Sequence, residues 1–137
     1  MKPIIQENET GCGIAAVATI VQLPYTKVKE KAKLMDIFAE DERLFSDTNY
    51  VRRLLKEYGV KTSADEKPFQ SWESLPDIAL LSIKFHVEKG CPFWHWVVFY
   101  RENNRSVVFD SAAYLENNER IDFEEMKPKW YIEVSKT

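Results

Sequence analysis

The chain has 137 residues, of which 45% are hydrophobic and 30% are charged. This length and composition fit one domain with a single substantial core, so we expect residues 1–137 to form one domain without a linker. The formal net charge is only -3, which argues against a phosphate-binding surface and therefore against a nucleic-acid partner.

The N-terminus lacks the hydrophobic region of a signal peptide. The longest mostly apolar run, Ile14 to Leu23, is about half of the roughly 20 residues that a membrane-spanning helix needs. We therefore expect a cytoplasmic protein without a membrane span. The two cysteines, Cys12 and Cys91, are too few for a disulfide framework and lack the paired spacing of a zinc site. The sequence predicts no metal and no cofactor, and it leaves the oligomeric state open.

Small apolar residues from Ile14 to Leu23 indicate a buried helix that stops before Pro24, with Cys12 in its first turn. The first N–H groups of a helix have no intrahelical partner and carry the positive end of the dipole, so they favour a thiolate, the nucleophilic form of cysteine. Gly11 and Gly13 flank Cys12 without Cβ atoms, so we expect a peptide substrate to approach closely there. Taken by itself, a cysteine in apolar surroundings such as Cys12 is more commonly an inert buried thiol.

Two further helices are predicted in the first half of the chain. Thr26 is the predicted N-cap of a helix from Lys27 to about Phe38. Another helix is predicted to start at Asp47 or Thr48, and Gly59 stands just after its end, where a left-handed glycine commonly terminates a helix.

The second half is rich in β-branched and aromatic residues. After a short extended segment, a buried strand is predicted from Ile78 to Ile83, and three later runs predict strands at Trp96 to Tyr100, Ser106 to Asp110 and Trp130 to Val134. Helices first and an antiparallel sheet afterwards make an α+β fold, in which the first helix packs on the sheet.

The strands around Asn103-Asn104 most simply form a hairpin, and a turn at these residues pairs Val97 with Asp110. His95 lies two residues from Val97, so His95 and Asp110 share one face of the hairpin and lie within reach of each other. A carboxylate there can fix the imidazole tautomer and stabilise imidazolium. Taken singly, His95 is more often a packed core histidine, and Asp110 equally suits a turn at the strand end.

Three residues near this hairpin have less specific signals. Trp94 points away from His95 by strand parity, but at the strand end we expect it to turn toward the cleft and narrow it. His86 has no acidic residue at a comparable strand end, so we interpret it as structural or exposed. Cys91 is predicted to lie in a loop before His95, and an incidental thiol is favoured over a redox modulator.

Gln6, Cys12, His95 and Asp110 occur in this order, with five residues between Gln6 and Cys12. In this pattern the sequence resembles the papain-like cysteine peptidases, and most closely the bacteriocin-leader, or double-glycine, peptidases. That family's signature is a glutamine, five residues, Cys-Gly and a helix of small residues, then a histidine before a hydrophobic strand, then an aspartate that ends the next strand. The resemblance spans nearly the whole chain.

The resemblance implies a role for each of these residues. Cys12 would be the nucleophile, His95 the general base and acid, and Asp110 the residue that orients His95. Gln6 would bind the oxyanion together with the backbone N–H of Cys12. The implied fold is papain-like, with an N-terminal nucleophile helix and further helices packed on a C-terminal antiparallel sheet, here as a stand-alone domain.

Two positions depart from the family pattern: Gly11 stands where an acidic residue is frequent, and Ser111 stands where proline commonly follows the aspartate. Neither removes a catalytic group. The predicted function is a cysteine peptidase that cleaves a peptide or protein substrate, after small residues such as Gly-Gly. A deamidase or acyl transferase would use the same groups. A catalytically idle peptide-binding module is the alternative from another class, and retention of all four groups argues against it.

Overall fold

Helices precede an antiparallel sheet in the computed structural model, which describes residues 1–135, and this is the predicted α+β order. Within these residues, the α-helices are α1 (Cys12–Val21), α2 (Tyr25–Leu34), α3 (Asn49–Glu57) and α4 (Phe123–Met126), with a 3-10 helix at Glu42–Ser46. The strands are β1 (Lys61–Thr62), β2 (Lys67–Pro68), β3 (Ile78–Glu88), β4 (Cys91–Glu102), β5 (Arg105–Phe109), β6 (Glu119–Arg120) and β7 (Trp130–Ser135).

The strands form one antiparallel sheet in the order β1-β7-β3-β4-β5-β6, and β2 also pairs with β7. β3, β4 and β5 are joined by two consecutive hairpins, so their side chains alternate between the two faces wherever the pairing is regular. One face packs against the helices. The other face has its own core, which α4 and the segment before β3 cover.

α1 is the helix on which the rest of the chain packs. Its small apolar side chains let it contact β4 on one side while α2 and α3 pack on others. It ends where Gln22 adopts a left-handed conformation (φ 56°) and returns its N–H to the carbonyl of Ala18, a common helix termination. Among residues 1–135, no helix is both long enough and apolar enough to cross a membrane.

α2 differs from the sequence prediction at both ends. It begins at Tyr25, because the carbonyl of Pro24 already accepts the first helical hydrogen bonds, so Thr26 lies inside the helix and is not its N-cap. It ends well before Phe38, because Asp36 adopts a left-handed conformation (φ 60°) that stops the helix. α3 has the predicted bounds, with Gly59 left-handed (φ 76°) after its last turn.

The β3–β4 hairpin extends beyond the predicted strands. His86 pairs with Phe93, and Glu88 pairs with Cys91, beyond an irregularity in the register after Ile83. This part of the hairpin is largely exposed, and Phe85 and Val87 alternate there with the polar residues Lys84, His86 and Glu88. This alternation has the period of a strand, and the sequence prediction did not use it. The prediction that Cys91 lies in a loop was therefore wrong, because Cys91 is the first residue of β4.

Candidate active site

Cys12 is the first residue of α1, as the sequence predicted. Gly11 occupies the N-cap position and makes no side-chain hydrogen bond to the helix, and the first turn carries no acidic residue. The first N–H groups of α1 are therefore left for the Cys12 thiol and for any group that binds beside it. Cys12 is only 4% exposed, so its side chain is almost fully buried.

The β4–β5 hairpin has the predicted register. Asn103 and Asn104 are both left-handed (φ 53° and 65°), which is the conformation of a type I′ turn. Val98 pairs with Phe109 at the far end of the hairpin. His95 and Asp110 consequently lie on the same face, and the structure joins them by a hydrogen bond, with His95 Nε2 2.7 Å from Asp110 Oδ1.

The two ring nitrogens of His95 have different surroundings. Because Nε2 donates to the Asp110 carboxylate, Nδ1 is the nitrogen left for the Cys12 thiol, which lies near enough to the ring to raise its pKa. The structure thus places Cys12 and Asp110 near the same imidazole.

The lengths of the strands explain how the helix reaches this pair. β4 pairs with β5 only from Val98 onward, whereas β4 itself begins at Cys91. At His95 the backbone of β4 pairs with Ile83 of β3 on one side. The sheet opens on the side where β5 has ended, and the N-terminus of α1 meets His95 there.

The environment shifts the pKa values of His95 and Asp110 in opposite directions. Burial lowers the pKa of His95, but the hydrogen bond that the ring donates to Asp110 and the nearby Cys12 sulfur outweigh this effect and raise the pKa from 6.5 to about 9. Burial raises the pKa of Asp110, but hydrogen bonds from His95, the Ala112 N–H and Arg120 lower it from 3.8 to about 2. Neutral pH therefore favours an imidazolium beside an ionised carboxylate.

Arg120 is a part of the site that the sequence did not reveal. Its Nη1 donates to Asp110 Oδ2 at 3.0 Å, while its Nε and Nη2 donate to Asp122. The pairing of β6 with β5, which places Arg120 opposite Val108, brings it to Asp110. A two-residue strand in a charged segment has no periodicity from which this could have been inferred.

Gln6 lies beside the end of β5 and beside the loop before α1. Its side-chain Nε2 donates to the carbonyls of Asn8 (3.0 Å) and Glu9 (3.3 Å), and its Oε1 accepts from the Ser111 hydroxyl at 2.8 Å. Its backbone N–H donates to the carbonyl of Ser111 at 3.0 Å. The residue predicted as an oxyanion donor is therefore held at the site by interactions at both ends of its carboxamide.

Tyrosine hydroxyls occupy the space beside Gly11 and Gly13. A Cβ at Gly11 would lie 2.1 Å from the Tyr25 Oη, and a Cβ at Gly13 would lie 1.9 Å from the Tyr50 Oη. Both glycines are buried, so the close approach that their small size permits in this structure is that of a tyrosine. Contact of either glycine with a substrate stays a prediction.

Trp94 does not have the orientation that we expected at the strand end. Its ring packs against Trp96 and Trp130, with centroid distances of 5.7 and 5.0 Å, and stacks on Phe85. Trp94 is 7% exposed and belongs to the core between the helices and the sheet. Its side chain therefore points away from His95, as strand parity predicts, and the expected turn toward the cleft was wrong.

A cavity of about 520 Å³ opens beside His95. One wall is the segment from Gln6 to Glu9, and another is the segment from Ala112 to Tyr114. Lys84, at the register irregularity of β3, also lines the cavity and donates a hydrogen bond to the Tyr114 hydroxyl. The cavity thus lies between these two chain segments, with His95 in its wall.

The other predicted residues lie away from this cavity. Cys91 is exposed at the end of the β3–β4 hairpin. His86 is exposed on the same hairpin, where it stacks on Phe93 and pairs with Glu88 at 3.3 Å. The exposed position of His86 agrees with the sequence prediction.

The molecule thus combines a helix that begins at a cysteine with an antiparallel sheet that carries a hydrogen-bonded His–Asp pair. The chain belongs to the Peptidase C39 family, whose sequence model matches residues 1–136. The chain is thus a cysteine peptidase, and the predicted fold and family are confirmed. No curated protein matches the chain.

Two solved structures share the fold. One is a double glycine motif protease from an AMS/PCAT transporter in complex with the leader peptide, with a TM-score of 0.61 and 14% identity over 98% of this chain and 91% of that one. The other is the peptidase domain of Streptococcus ComA, a bifunctional ABC transporter involved in quorum sensing, with a TM-score of 0.66 and 14% identity over 99% of this chain and 98% of that one.

Proposed function

We propose that Cys12, His95 and Asp110 form the catalytic triad of this peptidase and that Gln6 and the Cys12 N–H bind the oxyanion. One observation carries the proposal: His95 Nε2 donates to Asp110 Oδ1 at 2.7 Å, while the Cys12 thiol lies near enough to the same imidazole to raise its pKa. This is the nucleophile, base and orienting-acid relationship that acyl transfer requires.

In the first half of the reaction, the Cys12 thiolate attacks the carbonyl carbon of the scissile peptide bond and forms a C–S bond. The carbonyl oxygen takes up the negative charge of the tetrahedral intermediate. His95 then donates its Nδ1 proton to the departing amine as the C–N bond breaks. The products are a free amine and a thioester on Cys12.

Water completes the cycle by attacking the thioester carbonyl while His95 accepts its proton. Collapse of the second tetrahedral intermediate breaks the C–S bond and releases the carboxyl product, and His95 returns to the imidazolium form beside the Cys12 thiolate. Asp110 keeps its charge throughout and holds the ring in place.

Gln6 contributes through its Nε2. In the free enzyme this nitrogen already donates to the carbonyls of Asn8 and Glu9. To bind an oxyanion, Gln6 Nε2 must release one of these two carbonyls. We expect it to release the Glu9 carbonyl, because that contact is the longer and weaker one at 3.3 Å. The oxyanion then takes its place, since a charged acceptor forms the stronger hydrogen bond.

The substrate that we propose is a peptide segment with small residues, such as Gly-Gly, just before the scissile bond. The neighbouring structure of a double glycine motif protease with its leader peptide supports this substrate class. In the present chain, Ala112 and Ala113 and the contact between Lys84 and Tyr114 line the cavity beside His95. These residues, and not Trp94, are placed to limit the size of the side chains that enter.

Peptides with a Gly-Gly pair, incubated with the protein and followed by mass spectrometry, test the proposal. We expect cleavage after the second glycine by the wild type and by Cys91→Ser, and loss of cleavage in Cys12→Ser. Equal cleavage by Cys12→Ser would contradict the assignment of the nucleophile. A change in mass without chain cleavage would indicate deamidation or acyl transfer instead.

A peptide library that varies the two residues before the scissile bond tests the substrate class. We expect Gly and Ala to be preferred at both positions. Equal or faster cleavage after Leu or Phe would show that the cleft is open, and it would contradict the specificity while leaving the triad intact.

A further inference from the structure

Ser111 forms a hydrogen bond with a residue that lies 105 positions away in the sequence. Its hydroxyl is 2.8 Å from Gln6 Oε1, and the Ser111 carbonyl accepts the backbone N–H of Gln6 at 3.0 Å. Ser111 is 5% exposed. Ser111 also directly follows Asp110. Of these two neighbouring residues, Asp110 contacts His95 and Ser111 contacts Gln6.

The surroundings of Gln6 determine which end of its carboxamide meets Ser111. Two carbonyl oxygens, of Asn8 and Glu9, lie on one side of the group. Carbonyl oxygens only accept hydrogen bonds, so the NH₂ group must face them and Oε1 must face Ser111. The Ser111 hydroxyl is therefore a donor, and it orients the amide with its N–H groups away from Ser111.

The turn that carries Ser111 is held in place by its neighbours. Asn118 donates through its side chain to the carbonyls of Asp110 (2.7 Å) and Ala112 (2.9 Å), one on each side of Ser111. The N–H of Ala112 donates to Asp110 Oδ1 at 3.1 Å. The position of the Ser111 hydroxyl is consequently tied to that of the Asp110 carboxylate.

We propose that Ser111 is a positioning residue for the oxyanion donor Gln6. The dipeptide Asp110-Ser111 then orients two groups at once, His95 through the carboxylate and Gln6 through the hydroxyl. This inference rests on the proposed function, because it assigns to Ser111 a part in holding the transition state and none in forming the thiolate.

The proposal predicts a selective effect of Ser111→Ala. The change leaves Cys12, His95 and Asp110 in place and removes one hydrogen bond to the donor. We expect kcat for peptide cleavage to fall by about 2-fold to 12-fold, the kinetic equivalent of one hydrogen bond, with little change in KM. Alkylation of Cys12 by iodoacetamide forms no oxyanion, so its rate should not change.

A second measurement asks whether Ser111 acts through Gln6. In the Gln6→Ala background, Ser111→Ala should cause no further loss of kcat, because the group that it positions is absent. Independent, multiplicative losses in the double variant would overturn the proposal. An equal loss of the alkylation rate would also overturn it, since Ser111 would then act on the triad.

Ser82→Ala is the matched control. Ser82 is also a buried serine, and its hydroxyl donates to the Trp130 carbonyl and accepts the Trp130 N–H, within the sheet. We expect this variant to lose thermal stability but to keep kcat. If Ser111→Ala does not fold, kcat is measured on Ser111→Cys instead, because cysteine fills nearly the same space and its thiol is only a weak hydrogen-bond donor.

Two outcomes separate the role of Ser111 from the proposed function of the protein. If the wild type cleaves a Gly-Gly peptide and Ser111→Ala matches its kcat, only the role of Ser111 is wrong. If the wild type neither cleaves such peptides nor binds a peptide aldehyde, whose adduct with Cys12 places an oxygen in the oxyanion site, then the proposed function is wrong and the role of Ser111 is wrong with it.

Discussion

Arg120 and His95 bind opposite oxygens of the same carboxylate: Arg120 Nη1 donates to Asp110 Oδ2 at 3.0 Å, and His95 Nε2 lies 2.7 Å from Asp110 Oδ1. Asp110 is fully buried. A buried charge is stable only when its hydrogen-bonding capacity is satisfied, so Arg120 permits an ionised carboxylate to sit beneath the imidazole.

We therefore predict that Arg120→Gln destabilises the fold by about 1–3 kcal/mol at neutral pH, the cost of leaving part of a buried charge without a partner. The pKa of Asp110 is lowered from 3.8 to about 2, so this carboxylate stabilises the fold above pH 3.8 and loses that contribution as the pH falls toward 2. Urea unfolding at pH 7 and at lower pH should show the difference between wild type and variant shrinking in acid.

Arg43→Gln is the control for that experiment. Arg43 and Asp41 form an ion pair that is shorter than that of Arg120 with Asp110 (2.7 against 3.0 Å), but the Arg43 side chain is 86% exposed. Exposed ion pairs contribute little to stability, so Arg43→Gln should leave the free energy of unfolding nearly unchanged. Equal destabilisation by the two variants would show that Arg120 has no special relation to the buried carboxylate.

Cys12 should be alkylated before Cys91 by substoichiometric iodoacetamide at neutral pH. Cys91 is the exposed cysteine and Cys12 the buried one, so accessibility alone predicts the reverse order. The N-terminus of α1 and the His95 imidazolium should reverse it, because both place positive charge near the Cys12 sulfur and promote its reaction with an electrophile. Peptide mapping measures the order, and His95→Gln should slow the labelling of Cys12 alone. Modification of Cys91 first would contradict the proposed pair.

The raised pKa of His95 predicts how cleavage depends on pH. With the pKa at about 9, the imidazolium that protonates the leaving amine is present at neutral pH and is lost as the pH rises through 9. We expect kcat/KM for a peptide to fall above this pH, while alkylation of Cys12 does not fall, because a thiolate needs no proton donor. A cleavage rate that stays constant up to pH 10 would contradict this role.

The protonation of His95 should also affect stability in a defined pH range. The pKa of His95 is raised from 6.5 in the unfolded chain to about 9 in the folded protein, so the stabilisation is complete below pH 6.5 and disappears as the pH rises to about 9. His95→Gln should lack this change when unfolding free energies are measured across that range.

Gln6→Ala should lower kcat by roughly 100-fold to 1,000-fold, the usual effect of removing one oxyanion donor. Gln22→Ala is a closely matched control, because the Gln22 carboxamide also donates to two backbone carbonyls, those of Lys2 and Thr19, and accepts one hydrogen bond. We expect similar, small losses of thermal stability in both variants and a loss of kcat in Gln6→Ala only. If Gln6→Ala and Gln22→Ala had the same kcat, Gln6 would be a structural residue and not an oxyanion donor.

Gly11→Ala should destabilise the fold by about 1–3 kcal/mol, because the new Cβ would overlap the hydroxyl of Tyr25. Tyr25→Phe in the same chain removes that hydroxyl and should restore part of the loss. Thermal unfolding measures both. A Gly11→Ala variant that is as stable as the wild type but inactive would instead support contact between Gly11 and the substrate.

The sequence by itself determined the parts of the site that depend on local rules. The two-residue turn at Asn103-Asn104 sets the register of its hairpin, and a period of two then places His95 and Asp110 on one face. A run of small apolar residues after Cys12 specifies a buried helix, so the position of the thiol at its N-terminus followed as well. These inferences need only neighbouring residues and the geometry of one element.

The tertiary structure decided what depends on elements that are distant in the chain. Arg120 reaches Asp110 through a two-residue strand, and Ser111 meets Gln6 across 105 positions. The orientation of Trp94 is set by Trp130, which comes from another strand of the sheet. Each of these contacts exists because packing brings together segments whose own sequences show no common pattern, and the free energy that selects them belongs to the assembled core and not to either segment.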